Sequence, residues 1–145
     1  MDVTRLSPSG LRLLQLCGEA FRRRYVEGER TSFGTPVVIG NATHSSAEVD
    51  LTLKLDEGEL MEDEAVPDIA SDAFERAWAS PEFELDKDQK AGASTVKAES
   101  KDLTVRLAQL HHSALAPSIQ PGMLEERLEI AIPGFPLTLV GYADV

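Results

Sequence analysis

The sequence predicts an α/β protein in which a helical N-terminal part is followed by a β-hairpin. Apolar residues recur at spacings of three and four as far as Leu115, which is the period of a helix face. After Pro121-Gly122 the period becomes two, because Leu128 and Ile130 alternate with charged residues as in a half-buried strand. With 145 residues and no linker-like boundary, a single domain spanning residues 1–145 is predicted.

The first helix is predicted to begin at Ser7-Pro8-Ser9. A serine side chain can cap the free N–H groups of a helix, and proline at the first helical position has no useful donor to lose. One stripe of this helix is predicted to carry Leu14, Cys17, Phe21 and Tyr25. Gly28 and the segment 31–36 indicate a loop, and the second helix is predicted to start near Asn41.

The second helix is predicted to bury the side chain of His44. One of its faces carries His44, Ala47, Leu51 and Leu55. A solvated acidic loop (56–68) and a short helix with Ile69, Ala73, Ala77 and Trp78 are predicted to follow.

A longer helix is predicted over 93–115, ended by Pro117. Its predicted buried face carries Val96, Leu103, Leu107, Leu110 and Ala114. His111-His112 is expected to lack a partner carboxylate, and no function is assigned to it.

Two antiparallel strands are predicted at 124–132 and 137–145, joined by a turn at Pro133-Gly134. An isolated hairpin is only marginally stable in water, so other elements must cover it. We expect a further strand to pair with the open edge of 137–145.

Charge is unevenly distributed along the chain. The net charge of −11 disfavours general affinity for nucleic acid, because phosphate binding depends on lysine and arginine. Residues 1–30 carry six Arg against four acids, whereas residues 48–88 carry fifteen acids against three basic residues. An alternative interpretation is therefore a small acidic helical interaction protein, with His44 in its core and the acidic segment as a basic-partner surface or DNA mimic.

Targeting signals and cysteine usage favour a cytoplasmic protein. No apolar run approaches the roughly 20 residues that span a bilayer, and no secretory signal is visible, so no membrane partner is predicted. The single cysteine, Cys17, cannot form an intrachain disulfide or by itself a structural zinc site, which fits a reducing compartment.

Four motifs occur in a characteristic order along the chain. They are Leu6-Ser7-Pro8-Ser9, then Leu16 to Phe21 with Tyr25, then Gly40 with His44, and last an acidic-apolar strand leading to Gly141 and Asp144. This order resembles that of RecB-like PD-(D/E)XK nucleases, which include the nuclease domains of RecB and AddB and CRISPR-associated or phage RecB-like exonucleases. The resemblance implies a restriction-endonuclease-like core and Mg²⁺- or Mn²⁺-dependent cleavage of DNA, as an exonuclease of recombination, repair or phage DNA processing.

The resemblance also implies that His44 and Asp144 are the catalytic metal ligands. Magnesium prefers oxygen ligands and retains waters, so a carboxylate at a strand end suits it. From the residues alone, a histidine on an apolar helix face such as His44 is more often a core residue than a ligand, and Asp144 could be a turn residue. In the family the second acidic ligand and a lysine come from a (D/E)-x-K on the following strand. We therefore expect the chain to be either the N-terminal portion of a single nuclease-like domain or a degenerate homologue, and not an active enzyme by itself.

Four further residues have two interpretations each. Arg22 and Arg23, with Arg24, either contact DNA phosphates or form a solvated charged face. Cys17 stands where some relatives hold an iron–sulfur cluster with three more cysteines, which this sequence lacks, so a small buried hydrophobic residue is expected. A helicase or recombination partner, the strand polarity and the preference for single or double strands are left open.

Overall fold

The computed structural model describes residues 5–124, 126–131, 133–134 and 137–143. The chain divides into two compact units, the first formed by Met1–Thr31 with Met123–Val145 and the second by Ser32–Gly122. The described part is mostly helical and contains a three-stranded mixed sheet, which confirms the predicted α/β class. None of its helices is long and apolar enough to cross a bilayer.

The sheet of the first unit contains β1 (Arg5–Leu6), β2 (Glu126–Ala131) and β3 (Thr138–Ala143), in the order β1-β3-β2. β2 and β3 are antiparallel, which confirms the hairpin. The other edge of β3 is not open at 138–139 as predicted, because β1 pairs with it there in parallel. Pairing of a further strand with the rest of that edge stays a prediction. A strand of two residues is too short to show a period in the sequence, so β1 gave no signal.

The first helix is interrupted at Cys17. α1 (Pro8–Leu16) ends there, and α2 (Gly18–Phe21) leads into a π-helical segment (Arg22–Val26). Cys17 itself is extended, with φ −157° and ψ 102°. This break changes the helical phase, so the single stripe predicted from Leu14 to Tyr25 is wrong. The rings of Phe21 and Tyr25 nevertheless stack, with centroids 4.9 Å apart.

The second unit is helical. It contains α3 (Thr35–Glu57), α4 (Val66–Trp78), α5 (Lys87–Lys90) and α6 (Ala93–Leu110), the last continued by a π-helical segment (His111–Leu115) and a 3₁₀ turn (Ala116–Ser118). The predicted helix over 93–115 is confirmed in extent. α3 begins before the predicted Asn41, because Pro36 lies in its first turn, where a proline sacrifices no helical hydrogen bond.

Two apolar clusters form the core of the second unit. One contains Val38, Ala42, Ala73 and Phe74, and the other contains Met61, Val66, Ala70 and Ala108. Phe33, Trp78 and Phe83 pack against the first cluster. The backbone also joins this region, since the Phe33 N–H donates to the Glu82 carbonyl at 2.9 Å.

The buried faces of the two long helices differ from those predicted. Apart from Val38 and Leu51, the second of which was predicted to be buried, small or polar residues occupy them: Thr35, Ala42, Ser46 and Asp50 on α3, and Ser100, Thr104 and Ala108 on α6. The leucines predicted to be buried on α6 are exposed, Leu110 to 59%. Helices can approach closely through small residues, whereas a pattern read from hydrophobicity alone selects the leucines.

Candidate functional site

Residues from both ends of the chain line one groove in the first unit. The groove has a volume of about 830 Å³. Its lining consists of Arg5, Ser7, Pro8, Ser9, Tyr25, Arg127, Val140, Gly141 and Tyr142. The motif residues Ser7-Pro8-Ser9, Tyr25 and Gly141, which are far apart in sequence, are therefore brought together by the pairing of β1 with β3.

The start of α1 forms one wall of this groove. Ser7 caps the helix, and its Oγ accepts the Gly10 N–H at 3.0 Å. A Cβ atom at Gly10 would lie 3.1 Å from Cζ of Tyr25 and 3.2 Å from Ser7 Oγ, so the absence of a side chain lets the tyrosine ring lie against the helix. On β3, a Cβ at Gly141 would lie 3.9 Å from Cγ of Pro8, an ordinary contact.

Three hydroxyl groups form a cluster on this wall. The Oγ atoms of Ser7 and Ser9 are 3.0 Å apart. Hydrogen bonds from Ser7 and then Ser9, with the nearby charge of Arg24, lower the pKa of Tyr25 although burial opposes them. The cluster therefore favours negative charge at the tyrosine oxygen, as expected of groups that donate hydrogen bonds to an anion.

Two arginines that the sequence analysis did not select line the same groove. The Arg127 guanidinium forms an ion pair with Glu129, and Arg5 Nε lies 4.0 Å from Oε1 of that same carboxylate. The ion pair of Arg127 with Glu129 could have been predicted from the sequence, because residues two positions apart on a strand lie on the same face. Only the pairing with β1 brings Arg5 to that face.

Arg22 and Arg23 are bound to acidic neighbours within the first unit. Arg22 Nε and Arg23 Nε lie 2.8 and 3.0 Å from the Glu19 carboxylate, and Arg22 also pairs with Glu27. These hydrogen bonds, first from Arg22 and then Arg23, lower the pKa of Glu19 to about 2. The proposed phosphate contacts of Arg22 and Arg23 would have to compete with these pairs, and they stay a prediction.

The His44 side chain is exposed on α3, so the prediction that it points inward is wrong. The buried stripe passes through Ala42 and Ser46, and residues two positions away on a helix point about 200° from each of them. Exposure leaves the imidazole accessible from solvent, as a ligand to a solvated metal requires.

Asp144 lies outside the described residues, directly after Ala143, where β3 ends. His44 belongs to the second unit and Asp144 to the first, so their proximity stays a prediction. Within the described ranges no group of three or more His, Cys, Asp or Glu side chains could hold a metal ion. These residues therefore do not by themselves complete the metal site that the family motif implies.

Cys17 is exposed, and the prediction of a small buried hydrophobic residue is wrong. Its backbone is extended at the junction between α1 and α2, so Cys17 does not continue the α1 helix.

A second charged site, missed from the sequence, lies in the second unit. His112 is buried, with Nδ1 2.8 Å from Asp50 Oδ2 and Nε2 2.9 Å from Asp63 Oδ1. The other oxygen of Asp50 accepts the Met61 N–H at 3.0 Å. The expectation that this histidine lacks a partner carboxylate is wrong, because its partners are distant in sequence and spacing could not reveal them.

The comparison with known proteins agrees with the α/β fold of the described residues. The family model of the PD-(D/E)XK nuclease superfamily matches residues 5–145. The chain belongs to the PD-(D/E)XK nuclease superfamily. No curated protein and no solved structure matches it. Members of this superfamily generally use divalent metal ions, and the superfamily implies DNA as the substrate.

Proposed function

We propose that the chain belongs to the RecB-like branch of the superfamily and forms part of a cytoplasmic Mg²⁺- or Mn²⁺-dependent DNA exonuclease of recombination, repair or phage DNA processing. The observation that carries this proposal is the family match over 5–145 together with the groove in which Ser7-Pro8-Ser9, Tyr25 and Gly141 meet. The groove supports the proposal because Gly141, which lines it, stands three residues before Asp144 in the same sequence motif.

His44 and Asp144 are the proposed ligands of the metal. The exposure of His44 and the location of Asp144 next to the end of β3 support these roles. A bound divalent ion would activate water and neutralise charge developing on the phosphate. The family motif adds a second acidic ligand and a lysine to these two residues.

Cleavage by the protein expressed from its complete reading frame tests this proposal. Linear and covalently closed circular DNA would be incubated with Mg²⁺ or Mn²⁺, and products resolved from 5′- and 3′-labelled strands. We expect progressive loss of nucleotides from the ends of linear DNA and no cutting of closed circles. Asp144→Asn and His44→Gln should each abolish cleavage, whereas Glu59→Gln, a change in the exposed loop after α3, should leave it unchanged.

The outcomes separate the parts of the proposal. Efficient cutting of closed circles would reject the exonuclease assignment. Undiminished cleavage by Asp144→Asn would reject the proposed metal site, and the absence of any metal-dependent cleavage would reject the nuclease function.

A further inference from the structure

We propose that the groove of the first unit binds one unpaired strand of DNA, with its phosphates on Arg5 and Arg127 and a base stacked on Tyr142. This inference rests on the proposed nuclease function and assigns to it a strand preference and a set of binding residues. Arg22 and Arg23, the pair suggested by the sequence, are not part of the groove lining.

The register of the hairpin places the stacking and phosphate-binding groups side by side. Arg127 on β2 lies directly opposite Tyr142 on β3. Directly opposed residues project from the same face of a sheet, with Cβ atoms about 5 Å apart. Arg5 is aligned with Thr138, and residues 138 and 142 share a face because the strand period is two. All three proposed contacts therefore lie on one face.

Arginine suits the proposed phosphate contacts. Its planar guanidinium presents a fork of donors that matches phosphate oxygens as well as carboxylate oxygens. In the structure Glu129 pairs with Arg127 and lies close to Arg5, so a carboxylate already contacts both groups. A phosphate would compete with Glu129 for the same donors, and Ser9 and Tyr25 offer hydroxyl groups in the same groove.

The exposure of Tyr142 favours the binding of an unpaired strand. Its side chain is 62% exposed, which is a large aromatic surface for a residue in the groove wall. In a duplex each base is already stacked between its neighbours, whereas a base in a single strand can stack on an aromatic ring. Such stacking contributes about 1–3 kcal/mol per base and tolerates any sequence. A groove combining an exposed ring with two guanidinium groups has the chemistry of single-strand binding.

Binding can be measured separately from cleavage. The protein from the complete reading frame would be titrated, in EDTA, into fluorescently labelled single-stranded DNA and into the corresponding blunt duplex, with anisotropy as the readout. We expect the single strand to bind at least about tenfold more tightly than the duplex. Tyr142→Ala should weaken single-strand binding about tenfold, and Tyr142→Phe should retain it because the ring remains.

Replacing either arginine and replacing Glu129 should change the affinity for single-stranded DNA in opposite directions. Arg5→Gln and Arg127→Gln should each weaken binding and reduce the slope of log K against log salt by about 0.7, the value for one phosphate contact on a single strand. Glu129→Gln should strengthen binding, because the competing carboxylate is lost. Arg12→Gln is the matched control, an exposed arginine on α1 that does not line the groove.

The binding and cleavage measurements distinguish failure of the groove assignment from failure of the proposed nuclease function. Equal or tighter binding of the duplex, or unchanged single-strand binding in both Tyr142→Ala and Arg127→Gln with their circular dichroism intact, would overturn the groove assignment even if metal-dependent cleavage is found. Selective single-strand binding that responds to these variants, without cleavage in Mg²⁺ or Mn²⁺, would support the groove and reject the nuclease function. If Tyr142→Ala fails to fold, Tyr142→Leu and Glu129→Gln test the groove assignment instead. A gain of affinity in Glu129→Gln cannot come from misfolding.

Discussion

Oδ2 of Asp50 lies 2.8 Å from Nδ1 of His112, and this contact links the middle of α3 to the segment that follows α6. Nε2 of the same ring faces Asp63 at 2.9 Å. A carboxylate accepts hydrogen bonds, so two carboxylates on one imidazole require both ring nitrogens to be protonated. The two carboxylates therefore favour the imidazolium form of His112.

This arrangement predicts a specific dependence of stability on pH. Burial lowers the pKa of His112, but hydrogen bonds and charges of Asp50 and Asp63 outweigh it, so the pKa is raised above 6.5. The stabilisation is therefore fully present below pH 6.5 and is lost as the pH rises through the folded-state pKa. The difference in free energy of unfolding between wild type and His112→Gln should shrink from pH 6 toward alkaline pH, as measured by urea unfolding.

One cation of α3 lies near His112, and a control variant is needed for the pH experiment. Lys54 is the cation of α3 near this site, with Nζ bound to the carbonyls of Ala116 and Ile119 at 2.8 and 2.6 Å. Gln109→Ala, at an exposed position of α6 that does not titrate, should give no comparable pH-dependent difference. A difference between wild type and His112→Gln that grows with rising pH would contradict the imidazolium.

The two carboxylates are predicted to contribute unequally. The side chain of Asp50 is 3% exposed and that of Asp63 is 90% exposed. Asp50→Ala leaves both Nδ1 of His112 and the Met61 N–H without their acceptor, so we expect a loss of about 3 kcal/mol in free energy of unfolding. Asp63→Ala should cost less than about 1 kcal/mol, as for other exposed pairs. Equal losses in urea denaturation would refute this ranking.

The pairing of β1 with β3 predicts that Leu6 anchors the N-terminus. Leu6 is 4% exposed and Leu16, on α1, is 74% exposed. Leu6→Ala should lower the free energy of unfolding by about 2–3 kcal/mol and speed amide exchange at Leu139, its partner in β3. Leu16→Ala is the matched control and should change stability by less than about 0.5 kcal/mol. Comparable effects of the two substitutions would contradict the observed pairing.

The proposed metal site predicts that His44 and Asp144 converge. In a Cys17→Ser background, cysteines introduced at 44 and 144 should form a disulfide on mild oxidation, because two ligands of one ion hold their Cβ atoms within a few ångströms of disulfide geometry. Mn²⁺ should also bind the unsubstituted protein more tightly than Asp144→Asn, by calorimetry. A pair with cysteines at 59 and 144 provides the control for random collision. Failure to cross-link, together with unchanged Mn²⁺ affinity, would remove His44 and Asp144 from the site.

Elements with a clear period were predictable from the sequence. The hairpin and the helix over 93–115 follow from spacing alone, because many residues repeat one pattern. The buried faces of α3 and α6 were missed since Ser46, Asp50 and Thr104 are buried, and polar residues carry no hydrophobic signal. The partners of Asp50 are the Met61 N–H and His112, which are distant in sequence and are not visible in a local window.

The candidate site was predictable only in part, for the same reason. Ser7, Tyr25 and Gly141 were selected through their motifs, and the structure places them in one groove. Arg5 and Arg127 were missed because their proximity depends on the two-residue strand β1. The partners of His112 were missed because Asp50 and Asp63 reach it only through the packing of the second unit.

Two contacts with α3 fix the number of residues in the π-helical segment His111–Leu115 and directly after it. Asp50 and Lys54 lie one turn apart on α3, and the first holds the His112 ring while the second holds the carbonyls of Ala116, Pro117 and Ile119. Removing or adding one residue between these two attachments would rotate everything beyond it by about 100°. Only one of the two attachments could then be kept. Homologous chains should therefore vary freely in sequence at the exposed positions here while keeping an unchanged number of residues.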